Sequence, residues 1–104
     1  MARIRIAGVE ELKGRRGILR NAAGEEIALF SVEGTVYAVS NYCPHQHASK
    51  LHESLVEGTI ITCPMHGWSF DLCTGAPVNA SGRLKKFPIE VKGSDVYVTI
   101  DDEQ

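Results

Sequence analysis

Three shortages in this 104-residue sequence limit what the protein can be. No apolar run approaches the roughly 20 residues that a transmembrane helix needs. No apolar stretch follows the charged residues near the N-terminus, so the sequence predicts neither a membrane span nor a signal peptide. The formal net charge is only −2, which gives no electrostatic basis for binding nucleic acid. We therefore expect a soluble, cytoplasmic protein that binds neither membranes nor nucleic acid.

Cysteine is also scarce. The chain contains Cys43, Cys63 and Cys73, and this odd number gives no disulfide framework. Such usage is typical of a reducing compartment. The composition is otherwise that of an ordinary globular protein, 43% hydrophobic and 23% charged, and the length predicts a single domain over residues 1–104.

Long helical periodicity is missing as well, whereas short β-like runs recur along the chain. Only Val9–Leu12 could begin a helical turn, and glycines follow it closely. Residues 21–24, 33–34 and 92–94 have the composition of turns. Strands are predicted over residues 2–6, 26–32, 35–39, 59–62, 69–72, 85–91 and 95–100. The predicted fold class is therefore all-β and antiparallel, built from hairpins.

Two short motifs bring metal-binding side chains into this framework. The first is Cys43-Pro44-His45 and the second is Cys63-Pro64-Met65-His66, with seventeen residues between His45 and Cys63. Thiolate and imidazole groups are the usual ligands of zinc and iron, not of calcium or magnesium. Because a predicted strand lies on each side of the second motif, that motif is expected at the tip of a hairpin.

Two kinds of metal centre accept two cysteines and two histidines. A tetrahedral zinc ion would bind all four side chains. A [2Fe-2S] cluster would place two thiolates on one iron and two imidazoles on the other. Zinc sites more often pair like ligands locally, whereas each motif here supplies one cysteine and one histidine. That arrangement favours the cluster, because each loop can then reach both irons.

The motifs and their surroundings resemble the Rieske iron–sulfur family. The similarity includes the pattern C-x-x-H-G-W-x-F-D from Cys63 to Asp71, the segment 72–77, and residues 87–89 and 93–98, so it extends over nearly the whole chain. The resemblance implies a small antiparallel Rieske-type β-sandwich with two cluster-binding loops on hairpins. It also implies a [2Fe-2S] cluster with the ligands Cys43, His45, Cys63 and His66.

The same resemblance implies a one-electron carrier that passes electrons from a flavin-dependent reductase to a terminal oxygenase or another redox enzyme. An alternative is the small iron–sulfur subunit of a nitrite reductase-like complex, and a less favoured one is a zinc-stabilised binding module. Oxygenase subunits of the family also need a mononuclear iron held by two histidines and a carboxylate. No histidine follows His66, so we expect an electron-transfer protein and not an enzyme.

Departures from the respiratory members of the family indicate the type of carrier. Those members have a second cysteine in each loop, where this chain has Ala48 and Met65. They also have serine and tyrosine hydroxyls where this chain has Trp68 and Phe70. The resemblance therefore implies a reduction potential near the bottom of the Rieske range of roughly −150 to +300 mV.

Four further side chains near the motifs have simpler interpretations. His47 and His52 are expected to be solvated loop histidines, not additional ligands. Cys73 is expected to be a small buried hydrophobic residue near a turn. Trp68 either shields the cluster or contacts a partner protein, and the sequence does not decide between these two roles.

Overall fold

Ten short strands in three antiparallel sheets form the described part of the chain. The structure is a computed structural model that describes residues 2–12, 17–41, 51–63, 67–78 and 83–100. The strands are β1 (Ala2–Gly8), β2 (Ile18–Ala22), β3 (Glu25–Val32), β4 (Thr35–Ser40), β5 (Leu55–Glu57), β6 (Ile60–Thr62), β7 (Ser69–Asp71), β8 (Lys86–Phe87), β9 (Ile89–Lys92) and β10 (Asp95–Ile100). Two short helical segments accompany them, α1 (Val9–Leu12) and the 3₁₀ helix Leu51–Glu53. No described helix is long and apolar enough to cross a membrane.

The three sheets follow from hairpins between neighbouring strands. Their strand orders are β1-β10-β9, β2-β3-β4-β8 and β5-β6-β7. The β3–β4 hairpin turns at Glu33 and Gly34, both of which have positive φ values, of 50° and 84°. Two consecutive left-handed residues are the signature of a tight turn whose twist matches that of the flanking strands. The predicted turn at residues 33–34 is therefore confirmed.

The central sheet is buried on both faces, which explains the unbroken apolar run in β3. Ile27 and Leu29 point to one core, together with Ala38 of β4 and Val98 of β10. Because successive side chains of a strand alternate between faces, Ala28 and Phe30 point to the opposite core. A strand covered on both faces loses the polar–apolar alternation of a half-exposed strand.

The second core connects the central sheet to the small β5-β6-β7 sheet. Its buried members are Ala28, Phe30, Val39, Leu51, Ile61, Cys63, Phe70, Leu72 and Leu84. Leu51 follows the first predicted metal motif, and Cys63 begins the second. This core therefore fixes the chain beside both motifs, and it is the part of the fold that positions the site.

The all-β antiparallel class is confirmed, but the strand predictions need three corrections. Residues 21–22 belong to β2 and not to a turn, because β2 pairs with β3 from Ile18↔Leu29 to Ala22↔Glu25. β5 was not predicted as a strand. The predicted strand over 85–91 is two strands, since β8 pairs with β4 whereas β9 pairs with β10. Pro88 separates them, as expected for a residue without a backbone N–H donor.

Candidate metal centre

The structure describes one of the four predicted ligands and the two ends of each predicted loop. Cys63 is described, whereas Cys43, His45 and His66 lie outside the described residues, as do His47, Ala48 and Met65. The first loop is bounded by Asn41 and Leu51, and the second by Cys63 and Gly67. The hydrogen bonds at these boundaries show how the fold supports the two motifs.

The β6–β7 hairpin leads to Cys63, the first residue of the second motif. Thr62 and Ser69 are register partners, and their hydroxyl oxygens are 2.9 Å apart in a hydrogen bond. One step closer to the tip, the backbone N–H of Cys63 donates to the carbonyl oxygen of Trp68 at 2.7 Å. The hairpin is therefore hydrogen-bonded up to the cysteine itself, which fixes the backbone from which the thiol extends.

Cys63 is fully buried, with 0% exposure, and it packs in the second core. A buried cysteine often serves only as a small apolar side chain. This one stands at the end of a short β-branched strand, directly before a Pro-Met-His sequence, and it forms no disulfide. Burial at that position suits a thiolate ligand of iron, because it excludes water from the metal–sulfur bond.

Asn41 closes the base of the first loop. This side chain is fully buried, and its Oδ1 accepts a hydrogen bond from the backbone N–H of His52 at 2.6 Å. The backbone of Asn41 forms two further hydrogen bonds. Its N–H donates to the carbonyl oxygen of Glu26, and its carbonyl oxygen accepts from the N–H of Leu51. Asn41 thus joins β3, the end of β4 and the 3₁₀ helix, and it holds the two ends of residues 42–50 together.

The same contacts fix the tautomer of His52. A backbone N–H can only donate, so the Asn41 atom that it meets must be the amide oxygen. His52 Nδ1 lies 3.1 Å from that oxygen and must therefore carry a proton. His52 Nε2 lies 3.6 Å from an Oε atom of Glu53. The side chain of His52 is only 24% exposed, so the expectation of a solvated loop histidine is wrong: it is a structural residue of the loop base.

Sequence reasoning did not identify Asn41 as part of the site. The available signal for this role was its position, two residues before a proposed ligand and just after a predicted strand. Asparagine side chains commonly form hydrogen bonds with nearby backbone at such turns. Its actual partner, however, is eleven residues further along the chain. Only the folded structure brings the two together.

Cys73 differs from Cys63 in every respect that matters for metal binding. It is exposed, so the expectation of a buried residue is wrong, although it does lie in a turn. Its thiol and the Tyr37 hydroxyl share a hydrogen bond at 3.4 Å. That bond, followed by partial desolvation and the nearby negative charges, raises the pKa of Tyr37. Cys73 therefore interacts with the β4 strand.

The shared core brings the two loop bases to the same part of the molecule. Leu51 closes the first loop and Cys63 opens the second, and both are fully buried in the second core with Ile61 and Phe70. By residue type, the two cysteines and two histidines of the predicted motifs fit a [2Fe-2S] cluster with mixed ligation, although only Cys63 is among the described residues. The fold and the two motifs thus indicate a class: a small all-β protein whose cysteine and histidine residues suit an iron–sulfur cluster.

Comparison with known proteins identifies the family. A family model described as the Rieske [2Fe-2S] domain matches residues 2–93. The chain is 38% identical to the ferredoxin component of the naphthalene 1,2-dioxygenase system of Pseudomonas aeruginosa, over 74% of this chain and 75% of that protein. It is 34% identical, over the full length of both, to the 3-phenylpropionate/cinnamic acid dioxygenase ferredoxin subunit of Photorhabdus laumondii subsp. laumondii. The chain belongs to the Rieske [2Fe-2S] family.

Solved structures agree with this assignment. The ferredoxin of carbazole 1,9a-dioxygenase from Nocardioides aromaticivorans superposes with a TM-score of 0.89 at 27% identity, covering 97% of this chain and all of that one. A ferredoxin in complex with the oxygenase of carbazole 1,9a-dioxygenase has a TM-score of 0.83 at 31% identity, covering 92% and 91% of the two chains. A nitrite reductase small subunit from Mycobacterium tuberculosis has a TM-score of 0.85, covering 93% of each chain, but at 21% identity this likeness shows the fold alone.

These findings confirm three predictions. The fold is the Rieske-type antiparallel β fold, the cofactor of the family is a [2Fe-2S] cluster, and the relatives are ferredoxin components and subunits, which carry electrons. This chain is accordingly an electron-transfer protein and not a catalytic subunit. The individual ligands remain a prediction for Cys43, His45, Cys63 and His66.

Proposed function

We propose that this chain is a cytoplasmic one-electron carrier that takes electrons from a flavin-dependent reductase and passes them to a terminal oxygenase. Cys43 and Cys63 bind one iron of its [2Fe-2S] cluster, and His45 and His66 bind the other. The chain acts as a single domain over residues 1–104. Each cycle transfers one electron to the cluster and releases it to the acceptor.

The observation that carries this proposal is the position of Cys63. A fully buried thiol stands at the tip of a hydrogen-bonded hairpin, within the core that also holds the base of the other motif. A zinc module would also use such a thiol, but the Rieske model matches nearly the whole chain. The donor set supports electron transfer because two thiolates and two neutral imidazoles leave the oxidised cluster without net charge. Accepting an electron is then easier than for a cluster with four thiolates.

The choice of an oxygenase as acceptor rests on relatives. Two of them are named as ferredoxin parts of dioxygenase systems, and a third is a ferredoxin seen in complex with an oxygenase. The likeness to nitrite reductase small subunits lies below the identity at which function can be transferred. No feature of the described residues favours that second function.

The proposal is tested with protein purified without air. Reduction should give a rhombic electron paramagnetic resonance signal whose average g value lies below that of all-cysteine ferredoxins. The reduced protein is then mixed with the terminal oxygenases of the naphthalene 1,2-dioxygenase and carbazole 1,9a-dioxygenase systems, and reoxidation is followed at the visible bands. A colourless protein with one zinc per chain would refute the cluster. A normal cluster that neither oxygenase reoxidises would refute the choice of acceptor.

A further inference from the structure

A single row of side chains crosses the small sheet directly beside the cluster motif. Leu55 of β5 pairs with Thr62 of β6, and Thr62 pairs with Ser69 of β7. The row continues beyond the last strand, because the N–H of Val78 donates to the carbonyl oxygen of Ser69 at 2.9 Å. We refer to Leu55, Thr62, Ser69 and Val78 as the outer row. Cys63 and Trp68 are the next residues toward the hairpin tip.

Strand alternation shows which way the outer row faces. The neighbouring row consists of Val56, Ile61 and Phe70, which pair with one another and pack against the second core. Because paired residues share a face and adjacent residues point to opposite faces, the outer row lies on the face away from that core. The hydrogen bond between the Thr62 and Ser69 hydroxyls confirms that these two side chains are on the same face.

The ends of the outer row are unusually exposed for apolar residues. Leu55 is 56% exposed and Val78 is 59% exposed. Among the described residues, the only other exposed large hydrophobic side chain is Val91, on β9 of a different sheet. A single exposed aliphatic residue needs no explanation. Two in one row, about 14 Å apart at ordinary strand spacing, on the sheet that carries the cluster hairpin, mark a contact surface.

Two carboxylates lie behind this row. On the same face, one step further from the hairpin tip, Glu57 and Asp71 lie on either side of Ile60, with which both are paired. No described basic side chain forms a salt bridge with either carboxylate. The face therefore combines an apolar edge near the cluster with a negative margin behind it. A partner that fits has an apolar patch bordered by lysine or arginine.

We propose that this face, the outer row together with Glu57 and Asp71, is the docking surface for the terminal oxygenase. The proposal rests on the proposed function, which makes an oxygenase the acceptor. Leu55 and Val78 supply the apolar contacts, and the carboxylates orient the approach. At the centre of the row Ser69 is already buried and Thr62 is half-buried, and their hydroxyls share a hydrogen bond, so the partner contacts the two exposed ends of the row.

The size of this surface suits a transient complex. Electron-transfer contacts are at the small end of protein interfaces, and a few anchors dominate their energy. Truncating one exposed aliphatic anchor should then weaken binding measurably without unfolding the protein. Charges at the margin mainly increase the association rate, and this effect declines as salt is added. Apolar and charged positions therefore have different kinetic signatures.

The apolar contacts are tested with Leu55→Ser, Val78→Ser and the double variant, each carrying its cluster. Val91→Ser is the matched control, since it removes an exposed aliphatic residue from another sheet. The assay is reoxidation of the reduced protein by the carbazole 1,9a-dioxygenase and naphthalene 1,2-dioxygenase oxygenases. Each single variant should raise the half-saturating oxygenase concentration about fivefold or more, which corresponds to about 1 kcal/mol. Val91→Ser should match the wild type, and all midpoint potentials should be unchanged.

The charged margin is tested with Glu57→Lys and with Glu33→Lys as control. Glu33 is exposed in the β3–β4 turn, at the end of β4 opposite the first loop. Glu57→Lys should slow association several-fold at low salt and converge with the wild type at high salt. Glu33→Lys should not. Unchanged kinetics in both the apolar and the Glu57 variants would overturn the docking proposal while leaving the carrier function intact.

Other outcomes also decide the question. If the variants slow reduction by the flavin reductase but not reoxidation by the oxygenase, the face belongs to the reductase and the proposal is wrong. If sedimentation shows that only self-association is lost, the face joins two copies of this chain and the proposal is again wrong. If the wild type reduces neither oxygenase, the proposed function fails first, and that failure is visible before any variant is made.

Discussion

Asn41 shows how one buried polar side chain can support a metal loop that it does not enter. Its amide oxygen accepts two hydrogen bonds from His52, and its backbone bonds Glu26 and Leu51. A buried donor that loses its acceptor costs more than the net value of the bond. The Asn41 side chain therefore holds the two ends of residues 42–50 together. Its removal would leave the backbone N–H of His52 without this acceptor.

This predicts the effect of Asn41→Leu. The free energy of unfolding should fall by about 2 kcal/mol, the cost of an unsatisfied buried donor, and the cluster should be lost faster because the base of its loop opens more often. Urea unfolding followed by circular dichroism measures the first effect, and the decay of visible absorbance measures the second. Asn21→Leu, at an exposed position of β2, is the control. Equal behaviour of the two variants would contradict the role of Asn41.

The two described cysteines give a second prediction. Cys63→Ala should abolish the cluster, because it removes a proposed ligand, and iron should fall far below the two ions per chain of a [2Fe-2S] protein. Cys73→Ala should keep the cluster and its spectrum, since Cys73 is exposed in a turn. It should also lower the pKa of Tyr37, whose hydrogen bond to the thiol is lost. Iron analysis and tyrosine-specific NMR titration measure these effects. A cluster retained in Cys63→Ala would remove Cys63 from the ligand set.

At the scale of elements, the 3₁₀ helix Leu51–Glu53 is held from a second side by the start of β2. A Cβ atom at Gly17 would lie 2.6 Å from the carbonyl oxygen of His52 and 2.8 Å from Cε1 of Phe30. Both contacts are closer than side-chain carbons ordinarily reach, and one is to backbone. Glycine at this position is required by close approach, and it lets β2 lie against the segment that ends the first loop.

Gly17→Ala should therefore destabilise the fold by about 1 to 3 kcal/mol, as overpacking of a tight contact does. The displaced 3₁₀ helix should also weaken retention of the cluster. Gly8→Ala is the control, because its Cβ would meet nothing nearer than 3.5 Å. Chemical denaturation of both variants provides the comparison. A Gly17→Ala protein as stable as Gly8→Ala would show that β2 and the 3₁₀ helix can separate without cost.

The helix α1 is tied to its neighbours by Glu11. One carboxylate oxygen accepts from the N–H of Gly8 at 2.9 Å, and the other forms an ion pair with Arg20 of β2. First the Gly8 hydrogen bond and then the Arg20 contact lower the pKa of Glu11 below its ordinary value. A lowered pKa in the folded state stabilises the fold at pH values above the unfolded-state pKa. That contribution disappears as the pH falls through the folded-state value.

Glu11→Gln should accordingly make stability less dependent on pH in the acid range. The wild type should lose more stability than the variant when the pH is lowered from 6 to below the ordinary glutamate value, about 4.3. Glu57→Gln, an exposed glutamate on β5, is the control and should behave as the wild type. Urea midpoints across this pH range are the measurement. Parallel curves for wild type and Glu11→Gln would contradict the assigned contacts.

At the scale of the whole molecule, the reduction potential depends on what surrounds the cluster. Phe70 is fully buried in the second core and Trp68 packs against that core. Neither side chain carries a hydroxyl that could donate a hydrogen bond to the cluster. We expect a midpoint potential near the bottom of the Rieske range, at about −150 mV. Potentiometric titration followed by electron paramagnetic resonance measures it. A midpoint well above zero would refute the expectation, and Trp68→Ser compared with Trp68→Ala separates an added hydroxyl from lost packing.

Residue types and local patterns were enough to predict the donor set and most of the hairpins. Cysteine and histidine in two spaced motifs predict the donor set, because ligand chemistry depends on residue type and on loop spacing. The Ile60–Thr62 strand, the return strand after Trp68 and the turn at residues 33–34 are local features, so local propensity predicts them. The alternating burial of Val96, Val98 and Ile100 in β10 follows from the same reasoning.

Features that depend on residues far apart in the sequence became visible only in the folded chain. β2 has little strand propensity of its own and forms because β3 offers it a pairing edge. The segment 85–91 divides between two sheets because its two halves pair with β4 and β10. His52 was predicted to be solvated but is half-buried, and Cys73 was predicted to be buried but is exposed, since each position depends on contacts with residues far away in the sequence. The outer row depends on the register of three paired strands. Strand pairing, and not sequence order, places Leu55 and Val78 on the same face of the sheet.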